Sequence, residues 1–477
     1  MTHRLLRTVR RHWLLALFLL GGVLLRLLVE VAYQPALLYI DSTRYLRDLG
    51  VFDPSNINPI GYELLLLGPV LLFGNLGVVV LVQHLLGLAL ALAGYCLLLR
   101  LGCRRWLAAL AVAPVLFDAY QLQVEHMIMS DLLFQVLLLT VLILLTWWGT
   151  PGPRLALVAG CVLAASVLVR LVGLTLVVPA AVFVLLAAGL RPRDGWKRRL
   201  RAGGALVGGF VLVLAGYASY HMLWTGVPAL GGSTGSVVFG RTAMVAKCDE
   251  LDLTKAQRAV CPKEPVSERK RNGIDYYIHF FHNQVDTDEL PEDTTYSIAQ
   301  HSLAFKVLRS QPLDVFGGVA KDFLKGFAPM RTQSPGDVPL SRWHFQTEYP
   351  LYFTEWSLNG WLEYYDDGGY SVNDRAAGLL RTYQQSGGYT PGTVLGLALL
   401  VTVAAMLGVG RANRSGLRAV CLLSGGLASA ALFTAAAMEF SWRYQLPGLV
   451  LLPLAGALGI TAITGRRTDT KGSTTNR

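Results

Sequence analysis

Residues 13–33 read WLLALFLLGGVLLRLLVEVAY, a run in which only Arg26 and Glu30 are charged. About 20 apolar residues in a helix are enough to cross the hydrocarbon layer of a bilayer. The run is too long for the core of a signal peptide and lacks a clear cleavage site, so we interpret it as a retained first transmembrane helix. Arg26 and Glu30 are four residues apart, which places them on one helix face, where they can pair.

Apolar runs of similar length recur along the chain. Of its 477 residues, 53% are apolar and 15% are charged, whereas a soluble domain carries about 25% charged residues. The pattern predicts an all-α polytopic membrane protein with about ten transmembrane helices and a mixed extracytoplasmic domain. The predicted helices cover residues 13–33, 75–99, 105–122, 131–148, 155–170, 171–189, 202–224, 392–410, 417–437 and 444–464. The run 62–73 is too short to span and predicts an interfacial or re-entrant helix.

The basic residues alternate from loop to loop. With a cytoplasmic N-terminus, the inner segments are rich in Lys and Arg, while the outer loops 34–61, 123–130 and 438–443 are poor in them, as the positive-inside rule requires. The inner segments are 1–12, 100–105, 149–154, 190–201, 411–416 and 465–477. The net charge of +11 therefore reflects membrane topology and does not indicate nucleic-acid binding.

This topology predicts four parts of the chain. Residues 1–225 form a seven-helix module, 226–390 an extracytoplasmic domain, 391–465 three further helices, and 466–477 a cytoplasmic tail. Both termini are then cytoplasmic. Cys248 and Cys261 lie in the domain that faces an oxidising compartment, which predicts a disulfide between them. No P-loop, zinc-type spacing or dinucleotide fingerprint occurs in the sequence, so no soluble nucleotide site is predicted.

The first outer loop contains the segment YIDSTRYLRDLG, which begins at residue 39. Asp41 follows the first helix closely, where a carboxylate stays near the membrane surface and still meets water. Such a group can accept a proton from a hydroxyl or hold a divalent cation. The alternative is that it only solvates the loop.

Two arginines lie at the outer ends of apolar runs. Arg170 interrupts LAASVLVRLVGLTLVVP, and a guanidinium so placed needs a partner. Its planar fork suits a phosphate; alternatively it reaches the interface or pairs with an acid such as Glu125. Arg443 and Glu439 lie at the outer mouth of the last helix, where an ion pair and a substrate contact are equally good interpretations.

Glu125, His126 and Asp131 cluster at the outer entrance of the fourth helix. The dipeptide Ser130-Asp131 favours a helix N-cap. His126 alone is weak evidence for a metal site.

Four groups of residues and a closing motif follow one another along the chain: Asp41 and Tyr45 after the first helix, a Pro-x-Gly-Tyr turn at Pro59, Gly61 and Tyr62, Asp131 at the start of the fourth helix, Arg170 between the fifth and sixth, and Arg443, Tyr444 and Pro447 in the last. In this order they resemble the GT-C superfamily of polyprenyl-phosphate-dependent glycosyltransferases, in the branch of protein O-mannosyltransferases and lipid A aminoarabinose transferases. The resemblance covers most of the chain. Many members carry a second acid beside or one residue beyond the loop Asp, whereas Ser42 and Thr43 stand in those places here, which puts metal dependence in doubt.

The resemblance implies a hexosyl- or pentosyltransferase. It would move a sugar from a polyprenyl phosphate to a hydroxyl acceptor on a cell-envelope polysaccharide, lipid or protein, with inversion and with Asp41 as base. Arg170, Arg443 and Arg44 would contact the donor phosphate. The substrate-binding residues would be Tyr45, Tyr62, Glu125, His126 and Asp131. A divalent cation, Mg²⁺ or Mn²⁺, is an optional cofactor, and the aromatic residues of 343–365 would stack on sugars or form a belt at the membrane surface.

Two other functions fit a polytopic chain. A transporter or lipid-carrier flippase also carries intramembrane charges, although paired halves are not seen here, and an assembly protein would use the outer domain to dock partners. The short loops and the absence of eukaryotic sorting signals favour a bacterial plasma membrane, with membrane lipids as its surroundings. Neither the sugar nor the acceptor follows from the sequence.

Overall fold

The computed structural model describes residues 10–55, 58–186, 195–232, 234–350, 352, 355–365 and 369–465. Of the segments predicted to be cytoplasmic, residues 1–9, 190–194 and 466–477 lie outside the described residues. The last three positions of the predicted helix 171–189 lie outside them as well.

The amino-terminal part is built from apolar helices joined by short loops. Leu, Val and Ala occupy all sides of these helices, so most of them have no polar face. The run 62–73 forms only a short π-helix and one helical turn, which agrees with a segment that does not span. The helices are α1 (Trp13–Ala32), α2 (Ile40–Asp48), α3 (Gly68–Leu71), α4 (Leu76–Arg100), α5 (Arg105–Phe117), α6 (Ala119–Glu125), α7 (Asp131–Thr146), α8 (Pro153–Val169), α9 (Val177–Leu186) and α10 (Trp196–Thr225), with a π-helix at Glu63–Leu67 and a 3-10 helix at Leu171–Leu176.

Residues 226–390, which we name the outer domain after its predicted side of the membrane, divide between two hydrophobic cores. Its first half packs around Phe239, Tyr277 and Leu303 as a core of its own, and the predicted disulfide Cys248–Cys261 is confirmed there. Its second half packs on the helix bundle. The helices are α11 (Thr234–Ala243), α12 (Lys255–Ala259), α13 (Val266–Asn272), α14 (Ile274–His279), α15 (Tyr296–Ser310), α16 (Pro312–Lys325), α17 (Glu355–Tyr365) and α18 (Asp374–Gln385), with 3-10 helices at Cys248–Glu250, Phe281–Gln284, Thr287–Glu289 and Leu340–Trp343.

A small antiparallel sheet ties the outer domain to the first helix. Strand β1 (Tyr33–Gln34) continues from α1 and pairs with β2 (Ser371–Val372), with Tyr33 opposite Val372. The hydroxyl of Tyr33 donates to the carbonyl of Gln346 at 2.5 Å. These contacts place the second half of the outer domain directly over the loop that carries Asp41.

The carboxyl-terminal helices complete the bundle. Helix α21 contacts α19, α20 and α5. Helix α20 also packs on α9. Most side chains of α21 are buried, as expected for a helix surrounded by others. The elements are α19 (Gly392–Met406), α20 (Leu417–Met438) and α21 (Leu446–Thr464), with 3-10 helices at Gly410–Arg414 and Trp442–Gln445.

Helix length and composition support the polytopic fold. Among the described residues, five helical stretches are long and apolar enough to cross a membrane: α1, α4, α10, α20 and Trp442–Thr464. A sixth is counted if α5 and α6, which are bent by 56° at their junction, form one span. Helices α7, α8 and α19 and the stretch Leu171–Leu186 are apolar but shorter. The all-α polytopic class is therefore confirmed, and the number of about ten spans stays a prediction.

The pair of Arg26 with Glu30 that helix spacing allows is not the one that forms. Arg26 instead pairs with Glu125, its Nη2 lying 2.8 Å from Oε1, and donates to the carbonyls of Val115 and Leu116. The carbonyls of a last helical turn have no partner inside their own helix. Because α5 ends in the middle of the bundle, its carbonyls and Glu125 attract the guanidinium more strongly than a neighbour on the same helix does.

Candidate active site

A cavity of about 400 Å³ lies where the first outer loop, the α8–α9 connection, the outer domain and the start of the last helix meet. Its apolar lining comes from both the bundle and the outer domain. The charged residues that line it are Asp41, Arg44, Arg170, Asp275, Arg342, Glu439 and Arg443. The cavity therefore combines four guanidinium groups with three carboxyl groups.

Asp41 lies in the first turn of α2, which the preceding loop fixes against the bundle. The backbone N–H of Tyr39 donates to Oγ of Ser42 at 2.8 Å, and that hydroxyl donates to the carbonyl of Ile128 at 2.9 Å. Ser42 is fully buried. The position directly after Asp41 thus faces the protein interior and does not line the cavity.

Two arginines hold the carboxylate of Asp41. Nη1 of Arg443 lies 3.1 Å from Oδ2, and Nη1 of Arg44 lies 3.2 Å from Oδ1. Burial by itself would raise the pKa of Asp41, but Arg443 first and Arg44 second outweigh it and hold the pKa below its usual value. Asp41 is therefore ionised and able to accept a proton, although these cations make it a weak base.

Asp131 joins two arginines behind the cavity. Its Oδ2 lies 2.7 Å from Nη1 of Arg170, as an ion pair without hydrogen-bond alignment, and its Oδ1 lies 3.6 Å from Nε of Arg443. Asp131 is buried. One carboxylate thus orients two guanidinium groups and neutralises only one of their two positive charges. Guanidinium charge that is not neutralised can bind an anion in the cavity.

The prediction of an N-cap at Ser130-Asp131 is confirmed in position only, since Ser130 is the N-cap residue of α7. The side chain of Ser130 makes no capping hydrogen bond, and its hydroxyl lies 3.0 Å from the hydroxyl of Tyr45. The carboxylate of Asp131 is taken by Arg170, which also excludes the alternative pairing of Arg170 with Glu125. A nearby guanidinium attracts a carboxylate more strongly than backbone N–H groups do, and only the fold brings Arg170 there.

Glu439 lines the same cavity and does not pair with Arg443. Within the described residues its Oε1 is buried without a hydrogen-bond partner. Burial, and next the nearby Asp275, raise the pKa of Glu439 to about 8. Its carboxyl group is therefore largely protonated at neutral pH and can donate as well as accept a hydrogen bond. Of the two interpretations of this residue, the arrangement favours a substrate contact.

The structure brings most of the predicted site residues together, but not all. Arg44, Tyr45, Arg170 and Arg443 line the cavity with Asp41, and Asp131 lies directly behind them. Three residues lie elsewhere, fully buried away from the cavity lining: Tyr62, Glu125 and His126. Their partners are other groups of the bundle, so the geometry does not support direct substrate contact for these three.

The Pro-x-Gly-Tyr turn supports the site from behind. A Cβ at Gly61 would lie 2.4 Å from the carbonyl carbon of Leu168, so only glycine allows this close approach to the end of α8. Arg170 follows two residues later. The turn thus fixes the position of the α8–α9 connection, and Tyr62 beside it donates to Oε1 of Gln83 at 2.9 Å.

The outer domain contributes cavity residues that the sequence did not single out. Arg342 donates from Nη1 to the hydroxyl of Tyr39 at 3.1 Å. Trp343 is buried, and the guanidinium of Arg443 lies 5.1 Å from its ring centre, a cation–π distance. This tryptophan, from the aromatic stretch 343–365, is neither exposed to a membrane surface nor free to stack on a sugar from two sides. Only the general aromatic richness of that stretch pointed to it.

Comparison with known proteins adds two remote likenesses. No family model matches the chain, and no curated protein matches it. The S. cerevisiae protein O-mannosyltransferase Pmt1-Pmt2 complex bound to the sugar donor is similar at 14% identity and a TM-score of 0.35 over 52% of this chain. ArnT from Cupriavidus metallidurans in the apo state is similar at 14% identity and a TM-score of 0.34 over 94% of this chain.

The two likenesses differ in extent. The chain spans 38% of the first structure's chain and 77% of the second. One of the two is a protein O-mannosyltransferase, a kind of enzyme that the sequence motifs resemble. TM-scores of this size carry no inference about the fold or activity of this chain, whose function must therefore be inferred from its own contacts.

Proposed function

We propose that this protein is a glycosyltransferase of the GT-C type that moves a hexosyl or pentosyl group from a polyprenyl-phosphate donor to a hydroxyl acceptor at the outer face of a bacterial plasma membrane. One observation carries the proposal: an ionised carboxylate, Asp41, shares a single cavity with a surplus of guanidinium groups at the level where the helix bundle meets the outer domain. In this topology both termini are cytoplasmic and the outer domain is extracytoplasmic.

The donor phosphate fits between Arg170 and Arg443. Both guanidinium groups are oriented by Asp131, and their planar forks match phosphate oxygens in pairs. Val169, Leu171 and Met438 form the side of the apolar lining that belongs to the bundle. That side suits the first isoprene units of a lipid whose tail continues into the bilayer, which explains why a polytopic protein is needed for this substrate.

Donor binding also activates the base. In the empty cavity Arg443 and Arg44 lower the pKa of Asp41. An incoming phosphate competes for these guanidinium groups and partly neutralises them, so the pKa of Asp41 rises when the donor is present. Asp41 thus becomes a stronger proton acceptor only after the sugar is in place.

The reaction is then a single displacement. The acceptor hydroxyl transfers its proton to Asp41 while its oxygen attacks the anomeric carbon. The bond from that carbon to the phosphate oxygen breaks, its electron pair goes to the phosphate, and the anomeric centre is inverted. Arg170 and Arg443 stabilise the charge that grows on the phosphate, an effect that is strong in a site shielded from water. Glu439, protonated near neutral pH, can donate a hydrogen bond to a sugar oxygen.

The cavity residues do not favour the optional Mg²⁺ or Mn²⁺ ion. Both of these cations prefer several oxygen ligands, yet the carboxylates of Asp41 and Asp131 are each paired with guanidinium groups. Arginine supplies here the positive charge that a cation would bring. We therefore propose a mechanism in which no step at this cavity passes through a metal.

A turnover assay tests the proposal. The protein in lipid nanodiscs is given radiolabelled polyprenyl-phosphate sugars together with cell-envelope acceptors, beside the variants Asp41→Asn and Asp53→Asn. Asp53 is a matched control, because it lies in the same loop but does not line the cavity. We expect label to leave one donor with the wild type and with Asp53→Asn, and not with Asp41→Asn. Donors that bind tightly but stay intact would refute the transferase and favour a lipid-carrier flippase.

A further inference from the structure

A second cluster of titratable groups lies in the helix bundle, away from the cavity lining. Glu30 comes from α1, His84 from α4, and His126 from the segment that follows α6. Each side chain turns one ligand atom, which we call its inner atom, towards the other two. These three inner atoms all lie within 4.8 Å of one another. Nε2 of His84 lies 3.1 Å from Nδ1 of His126 and 3.9 Å from Oε1 of Glu30. The proposed transfer reaction uses none of these three side chains.

The outer nitrogens of both histidines are occupied by acceptors. Nδ1 of His84 lies 3.2 Å from Oε2 of Glu125, and Nε2 of His126 lies 2.8 Å from the carbonyl oxygen of Tyr33. Arg26 forms an ion pair with the same Glu125 carboxylate at 2.8 Å. A carboxylate and a carbonyl only accept hydrogen bonds. Each outer nitrogen therefore carries a proton, which in a neutral imidazole leaves the inner nitrogen with a lone pair.

The three inner atoms are thus all acceptors. The two imidazole lone pairs face each other at 3.1 Å, and within the described residues Oε1 of Glu30 is buried without a hydrogen-bond partner. Acceptors that converge without a donor repel one another and cost free energy. A cation between them removes the repulsion.

We propose that Glu30, His84 and His126 bind a divalent metal ion of the zinc type. Two imidazole nitrogens and one carboxylate oxygen form a ligand set that zinc uses with an open fourth position. Hard ions such as Mg²⁺ prefer oxygen ligands to imidazole. Ligands at about 2.0–2.1 Å in a tetrahedron lie roughly 3.3 Å apart, close to the spacing of the two histidines. A small shift of Glu30 brings its oxygen to the same distance.

The surroundings fit a metal centre in two further respects. Histidine ligands usually donate their other nitrogen to a carboxylate or a backbone carbonyl, which fixes the ring, and Glu125 and Tyr33 accept such bonds here. The side chain of Glu30 is 28% exposed, while that of His84 is 4% exposed. Glu30 is therefore the more open of these two ligands to the surroundings of the protein.

The metal would position the catalytic loop rather than react. The backbone N–H of Leu37 donates to the carbonyl of His126 at 3.0 Å, and that of Ile128 donates to the carbonyl of Leu37 at 3.2 Å. The carbonyl of Ile128 in turn accepts the hydroxyl of Ser42, next to Asp41. A metal on His126 would thus fasten α1 and α4 to the backbone segment on which the Asp41 loop rests.

Metal analysis of the full-length protein tests the proposal. The protein is purified without a polyhistidine tag, offered zinc, dialysed and analysed for bound metal beside the variants Glu30→Gln, His84→Ala, His126→Ala and His301→Ala. His301 is an exposed control on α15. We expect about one zinc per chain in the wild type and the control, loss of zinc in both cluster histidine variants, and at least a tenfold weaker affinity with Glu30→Gln.

Two further readouts keep the test decisive if a histidine variant fails to fold. Cobalt bound to the wild type should show the intense visible bands of a four-coordinate site, absent from Glu30→Gln. Chelation should lower the melting temperature of the wild type, and zinc but not magnesium should restore it. A folded wild type that takes up no more zinc than the cluster variants would overturn the proposal, and a proton shared by the two histidines would then bridge them.

Discussion

Replacement of Arg443 by glutamine tests the charge arrangement around Asp41. The substitution removes the guanidinium that lies 3.1 Å from Oδ2 of Asp41 and 3.6 Å from Oδ1 of Asp131, and leaves a neutral amide. Burial alone would raise the pKa of Asp41, and Arg443 is the largest influence that lowers it. The pKa of Asp41 therefore rises in Arg443→Gln. The acidic limb of the profile of kcat/KM against pH, which reports the base of the free enzyme, should move to higher pH.

The rate should fall as well, because we place Arg443 on the leaving phosphate. Loss of one preorganised donor to a developing oxyanion costs about 2.7–4 kcal/mol, a fall in kcat of about 10²- to 10³-fold. Removing one partner of a buried ion pair costs about 3–5 kcal/mol of stability. The stability loss here should lie at or below the lower end of that range, because Asp41 keeps Arg44 at 3.2 Å and Asp131 keeps Arg170 at 2.7 Å.

The assay follows label transfer in nanodiscs from about pH 5 to about pH 9, a range that covers both limbs of an acid–base profile. Arg44→Gln should move the acidic limb in the same direction but less, since Arg44 is the weaker and more exposed partner of Asp41. Arg414 is exposed and does not line the cavity, so Arg414→Gln should change neither the rate nor the pH profile. A slow Arg443→Gln variant whose acidic limb stays in place would refute the control of Asp41 by Arg443.

Single contacts lead to three more predictions. Because the pKa of Glu439 is raised to about 8, the folded protein keeps a proton that the unfolded chain loses near pH 4.5, and the melting temperature should fall as the pH rises from about 4.5 to about 8. Glu439→Gln should flatten this pH dependence, and an unchanged slope in the variant would contradict the prediction. Gly61→Ala should cost about 1–3 kcal/mol of stability by overpacking against the end of α8, whereas Gly216→Ala, with open space around it, should stay near the wild type in thermal melts. Removal of the Cys248–Cys261 disulfide, which joins residues 13 apart, should lower the free energy of unfolding of the first half of the outer domain by about 3 kcal/mol and speed its limited proteolysis. Equal cleavage rates in the wild type and the variant would argue against a stabilising role of the disulfide.

The polytopic fold was predictable because its signal is local. A run of about 20 apolar residues determines a helix and its solvent regardless of what lies beside it. The disulfide was predictable for a similar reason, since the two cysteines lie in one segment that the predicted topology exposes to an oxidising compartment, where they have few alternative partners. Arg170 was singled out because a charge within an apolar run is costly. Asp41 and Arg443 were singled out because each lies beside the outer end of a predicted transmembrane helix, and the structure places all three residues around one cavity.

The partner of each charge was decided only by the tertiary structure. Arg26 pairs with Glu125 and not with its helical neighbour Glu30, and Asp131 binds Arg170 instead of capping α7. His84, which drew no attention inside an apolar helix, becomes a metal-ligand candidate only beside residues that lie 42 and 54 positions away, His126 and Glu30. Sequence periodicity shows which face of a helix is polar. Which of several distant groups meets that face depends on how the helices pack, and the free energy of a buried charge is set by that encounter.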